Sequence, residues 1–169
     1  AWGFVLPVVY ATFGAEFRAL VEGGYFGDLF EVFSAFGGGT VLSLAGSVAL
    51  GFIHPIPIVL VAILAVGLPA AALAGERQRG TLEVLLARPI SRRRLYLTTL
   101  VATVLLVALA VAADVAGVVA GAAAFEVLAE LPADGLAVAT LNAVLLYAAL
   151  GAIALAVSAS FDRPGPALG

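Results

Sequence analysis

The chain has 169 residues and a net charge of −3, with 63% hydrophobic residues, 11% charged residues and a mean hydropathy of +1.17. Soluble domains carry roughly 45–50% apolar and about 25% charged residues, and a chain this small leaves a large share of its surface in water. That balance excludes a soluble enzyme, a nucleic-acid binder and a disordered chain, and it predicts an all-α polytopic membrane protein. There is no Cys, so a disulfide framework, a thiolate metal site and a cysteine nucleophile are excluded as well. Lys is also absent, and all eight basic residues are Arg.

A bilayer core of about 30 Å needs roughly 20 apolar residues in a helix. Residues 1–15 are apolar but too short alone, and read as the end of a first span. Residues 16–54 read as an extracytoplasmic interfacial segment. Within it Phe17, Leu20 and Val21 share a helical face, and beyond Gly23-Gly24 the series continues with Phe26, Leu29, Phe30 and Phe33, opposite Glu22, Asp28 and Glu31. That pattern predicts an amphipathic helix pair at the headgroup level. Gly37 to Phe52 is apolar too, and is expected to form a short or re-entrant helix at the outer face. Residues 55–75 form the second span, 95–125 the third and 136–160 the fourth; only Asp114 interrupts the third with a charge. Between them lie a loop at 76–94 and an outer loop at 126–135, and a tail follows at 161–169.

Charge orients these spans. Six of the eight Arg (77, 79, 88, 92, 93, 94) fall within residues 76–94, whereas 16–36 and 126–134 are acidic. The positive-inside rule therefore places 76–94 and the tail in the cytoplasm and the acidic segments outside.

The loop at 76–94 carries the most information. The helix leaving the membrane through Glu76 and Arg79 is expected to break at Gly80, and a short helix to start near Thr81 with Leu82, Leu85 and Leu86 on one side. Glu83, four residues after Arg79, offers it a weak ion pair. Pro89 is expected to end this helix, and Ser91 to cap the next one. Arg92, Arg93 and Arg94 then occupy a first helical turn, where the macrodipole disfavours cations. Anionic headgroups or an acidic protein partner would compensate them.

Among the remaining polar residues, an ionisable group within a span is a functional candidate by default. Asp114 nevertheless lies about 29 Å along its helix from Leu95, which favours a structural or interfacial role over one in a translocation path. Asn142 and Tyr147 are candidates for hydrogen bonds between helices, a reading favoured over substrate contact in a translocation path. Ala113, Gly117 and Gly121 on the third span, and Ala148, Ala152, Ala156 and Ser160 on the fourth, form small-residue stripes. His54, a lone His without partner ligands, does not point to a metal site.

The run Ala74-Gly75-Glu76-Arg77-Gln78-Arg79-Gly80-Thr81-Leu82-Glu83-Val84-Leu85-Leu86-Ala87-Arg88-Pro89-Ile90-Ser91-Arg92 resembles the signature A-G-E-x-x-x-G-T-L-E-x-L-L-x-x-P-x-S-R of ABC-2-type permeases, the membrane subunits of ATP-binding-cassette transporters. The resemblance extends to the arrangement of spans over essentially the whole chain. It implies six spans, so that two at the C-terminal side and part of the first would lie outside this sequence. It further implies a multi-pass protein of a bacterial or archaeal cell membrane, an exporter, paired with a second permease copy. Residues Gly80 to Pro89 would be a coupling helix docked in a separate ATPase subunit, with Glu76, Arg79 and Arg92 at the same interface. ATP and Mg would be held by that subunit; the chain has no G-x-x-x-x-G-K-[ST] phosphate loop and no Lys to complete one. A membrane structural protein whose Arg-rich loop anchors it to anionic lipid is the rival reading. A secondary transporter is a weaker one, because its midplane ionisable groups and repeats are not evident.

Overall fold

The computed structural model describes residues 2–25, 43–87 and 91–160. The expectations for Phe26, Asp28, Leu29, Phe30, Glu31 and Phe33, for the Gly37-Gly38-Gly39 run, for Pro89 and for the tail lie outside the described residues, as do the side chains of Glu83, Leu85 and Leu86. Among the described residues the chain is 90% helical with no strand.

The first helix, α1 (Trp2–Glu22), continues through Ala15 without a break. The division expected after residue 15 is therefore a change of polarity within one helix. Residues 16–22 hold neither Gly nor Pro, so nothing stops the hydrogen-bond ladder there. It ends at Gly23-Gly24, where Gly24 takes a positive φ of 76° and the Tyr25 amide turns back to the Leu20 carbonyl at 3.2 Å. Helix α2 (Leu44–Ile53) is capped by Ser43, whose hydroxyl accepts the Gly46 amide at 3.0 Å. Its ten residues reach about 15 Å, half of a bilayer core. Helix α3 (Pro55–Ala70) opens on a proline that needs no donor in the first turn, and His54 Nδ1 accepts the Ile56 amide at 3.3 Å. A π-turn over Ala71–Gly75 leads into α4 (Glu76–Gln78). Then come α5 (Thr81–Leu86), α6 (Arg92–Ala124), a 3₁₀ turn (Leu128–Glu130) and α7 (Ala133–Ser160).

Among the described residues four stretches are long and apolar enough to cross a membrane: Trp2–Glu22, Pro55–Gln78, Arg92–Ala124 and Ala133–Ser160. Their large side chains face outward; Ile63 is 61% exposed and Leu109 66%. In water such a surface would be untenable. In lipid it is the solvated face, and the all-α polytopic membrane class follows.

The helices contribute to two compact units. One holds Ala1–Ile58 and Ala112–Leu141. Its core is Leu44, Val48 and Val118, with Tyr10, Phe52, Val127, Leu131 and Leu136 packed around it. Helices α1 and α6 meet there at backbone contact: a Cβ on Gly3 would lie 2.1 Å from the Asp114 carbonyl oxygen, and one on Gly121 2.8 Å from that of Phe4. Gly117 and Gly121 thus use the small-residue stripe read from the third span, whereas Ala113 is exposed. The other unit holds Val59–Val111 and Asn142–Gly169. Its buried residues include Ala65, Leu73, Thr103, Val107, Leu155 and Ser158. A Cβ on Gly151 would lie 2.9 Å from Thr103 Cγ2 and 3.1 Å from the Ala65 carbonyl. The buried face of α7 is therefore Tyr147, Gly151, Ala154, Leu155 and Ser158. That corrects the expected stripe, of which Ala156 and Ser160 are exposed. Spacing alone identifies a run of small residues, and the bulk of the facing helices selects which register is used.

Candidate functional site

The segment from Glu76 to Leu86 is a helix, a sharp break and a second helix, and its polar residues build the break. The Arg79 amide donates to Gly75 O at 3.2 Å and the Gly80 amide to Arg77 O at 3.0 Å. Gly80 has a φ of 72°, the left-handed geometry in which a residue without Cβ ends a helix. Thr81 starts the next helix with its hydroxyl turned back on Glu76, against the carboxylate and 3.2 Å from the main-chain carbonyl. The same carboxylate holds the Arg79 guanidinium at 3.0 Å. Arg79 pairs with Glu76, within its own helical turn; the Glu83 side chain of the expected pairing lies outside the described residues.

The described apolar side chains of α5 are Leu82 and Val84. Leu82 is buried within the chain, at 8% exposure. Val84, which the i, i+3, i+4 series passes over, is 66% exposed. Leu82 is thus covered within its own chain, while the Leu85 and Leu86 side chains of the expected face lie outside the described residues. Arg77 reaches the Ala159 carbonyl at 3.3 Å, tying the segment to the end of α7. Downstream, Ser91 caps α6 as its position foretold, accepting the Arg94 amide at 3.2 Å. Arg92, Arg93 and Arg94 are exposed, a cationic cluster at a helix N-terminus.

The polar residues read within the spans belong to different units. Asp114 is half-buried and accepts the Gly3 amide through Oδ1 at 2.8 Å, which is a tie between α6 and α1. Asn142 is exposed on α7 and Tyr147 is buried, both in the other unit. His54 stacks on Trp2 with ring centroids 4.4 Å apart. Like the Arg77–Ala159 bond, two further ties among the described residues were not read from the sequence: Tyr10 donates to Glu130 at 2.7 Å, and Ser158 binds the π-turn. No local spacing signals either, since each joins residues far apart in the chain.

Residues 1–167 match the family described as ABC-2 family transporter protein. The chain belongs to that family. It is therefore a permease subunit of an ABC transporter, a membrane transport component, and membership implies association with an ABC ATPase subunit. No curated protein and no solved structure matches the chain.

Proposed function

We propose that this ABC-2 permease couples ATP hydrolysis in a separate ATPase subunit to export of a substrate, and that Glu76 to Leu86 is the element docked on that subunit. The observation that carries the reading is the Gly80 break. It sets a short helix with an exposed apolar residue, Val84, directly after the span Pro55–Gln78. A helix in that position is pushed by its partner and moves the span with it. The Arg asymmetry supports a cytoplasmic location for the segment, where ATP and Mg are available to the ATPase. A second permease copy completes the transporter in this reading.

The test is co-purification of the ATPase subunit with full-length permease bearing Val84→Asp, or Leu85→Ser with Leu86→Ser. A fully buried Val or Leu side chain contributes roughly 1.5–3 kcal/mol, so loss of one anchor should weaken association at least tenfold while membrane insertion is unchanged. If association and ATP hydrolysis both survive, the segment does not dock the ATPase. Anchoring of the Arg cluster to anionic lipid then becomes the better account.

A further inference from the structure

Ser158 is fully buried at 0% exposure, near the end of the last long helix, and it bonds to another helix at two points. Its hydroxyl oxygen accepts the Ala74 amide at 3.1 Å, and the hydroxyl donates to the Pro69 carbonyl at 3.2 Å, with the Ala70 carbonyl at 3.5 Å. The two carbonyls lie just before the π-turn Ala71–Gly75 and the amide lies within it. A π-turn moves the backbone ladder from i→i+4 to i→i+5, leaving amides and carbonyls at its edges in need of partners, and such turns mark places where a helix changes register. Pro69 has no N–H to give, so the ladder cannot be healed backward across it. Ser158 supplies both a donor and an acceptor to the defect. One turn further on, Arg77 donates to the Ala159 carbonyl at 3.3 Å, so two adjacent residues of α7 hold the helix on both sides of Gly75.

We propose that Ser158 is a positioning residue for coupling: it locks the π-turn in register, so that the Glu76–Leu86 segment and the end of α7 move as one body. The proposal rests on the coupling reading of that segment. Its geometric content is specific. Each residue of an α-helix turns the chain by about 100°, so a one-residue change from π to α register would swing everything after Gly75 around the helix axis by about that angle. With Ser158 in place, a push on the segment reaches α7. Without it, the push is spent in re-registering the turn.

The chain has no cysteine, so Gln78→Cys and Ala156→Cys, both at exposed positions, give one spin-label pair across this joint. The full-length permease is assembled with its ATPase subunit, and dipolar broadening is recorded without nucleotide and after trapping with ATP, Mg and vanadate. With Ser158 the broadening is expected to be the same in both states. With Ser158→Ala it should fall at least twofold on trapping, with trapped nucleotide unchanged. Ser158→Thr should restore the wild-type result, and Ser158→Val, which has the same shape without the hydroxyl, should not; this pair decides the matter if the Ala variant fails to fold. A merely structural role would lower thermal stability without making the broadening depend on nucleotide. Identical broadening in both states for Ser158→Ala and Ser158→Val overturns the lock alone. Failure of the wild-type complex to trap nucleotide overturns the coupling reading and the lock with it.

Discussion

The Gly80 break offers the cleanest perturbation of the proposed docking segment. Apart from its two chain neighbours, no described residue comes within 4 Å of the place where a Cβ on Gly80 would sit, so Gly80→Ala meets no steric obstacle there. Its cost is conformational, because the residue holds a φ of 72°, and an L-residue pays about 1–2 kcal/mol in that region. The same strain is relieved if α4 continues straight into α5, which carries Thr81 and Val84 away from their observed positions. Since 1.4 kcal/mol is about a tenfold change in an equilibrium, Gly80→Ala should weaken binding of the ATPase subunit by roughly tenfold. Gly80→Asn should weaken it less, because Asn tolerates the left-handed region better than other side chains. Full-length permease in lipid nanodiscs, titrated with purified ATPase subunit, measures both. Binding by the Ala variant within twofold of wild type would refute the reasoning, and so would an Asn variant weaker than Ala. Either result would mean that the break is incidental to docking.

Two further outcomes are expected. Asp114→Asn keeps the oxygen that accepts the Gly3 amide and should leave thermal unfolding unchanged, whereas Asp114→Leu removes a bond worth at most about 1.5–3 kcal/mol and should lower the unfolding temperature; loss of nucleotide turnover in the Asn variant at unchanged stability would instead place the carboxylate's charge in the translocation path. Gln78→Cys should react with an impermeant thiol reagent only from the cytoplasmic side, and Ala129→Cys, in the exposed turn between α6 and α7, only from outside; reversed labelling would overturn the orientation drawn from the Arg cluster.

The long helices were legible because lipid makes an unusually simple demand: about 20 apolar residues with every backbone group satisfied within the segment. Pro55–Gln78, Arg92–Ala124 and Ala133–Ser160 each contain an apolar run that announces them. The continuation of α1 past Ala15 was less legible, since Glu16, Arg18 and Glu22 end the apolar run while leaving the helix intact. Polarity marks where lipid stops, and Gly23-Gly24 marks where the helix stops; the two need not coincide. Packing register was legible only in part. Gly117 and Gly121 stand out from their neighbours, but α7 carries small residues on every face, so composition could not choose Gly151 and Ala154 over Ala152 and Ala156. The π-turn left no readable trace beyond Pro69. Its partner Ser158 is 84 residues from Ala74, beyond the reach of any local pattern.

The structure also supplies a physical reason for the motif spacing. Glu76, Arg79, Gly80 and Thr81 are bound to one another: the carboxylate takes both the guanidinium and the hydroxyl, and the glycine turns the chain so that they meet. The Arg79–Glu76 pair is itself worth little, because the Arg side chain is 68% exposed and water screens it. Its role is geometric. With their hydrogen bonds spent on each other, these side chains define the angle at which α5 leaves α4, and Leu82 fixes that helix against its own chain. In the proposed docking, the described residues left exposed for a partner are Val84 and the cationic turn at Arg92, Arg93 and Arg94. Substitutions at Glu76 or Thr81 should therefore act by changing that angle, with the same signature as Gly80→Ala, whereas substitutions at Val84 should remove contact area and leave the angle as it is. Spin labels placed on either side of Gly80 separate the two classes. Altered spacing in Glu76→Ala with unaltered spacing in Val84→Asp is the expected result, and a Glu76→Ala variant with wild-type spacing and weakened binding would assign the carboxylate to the partner instead.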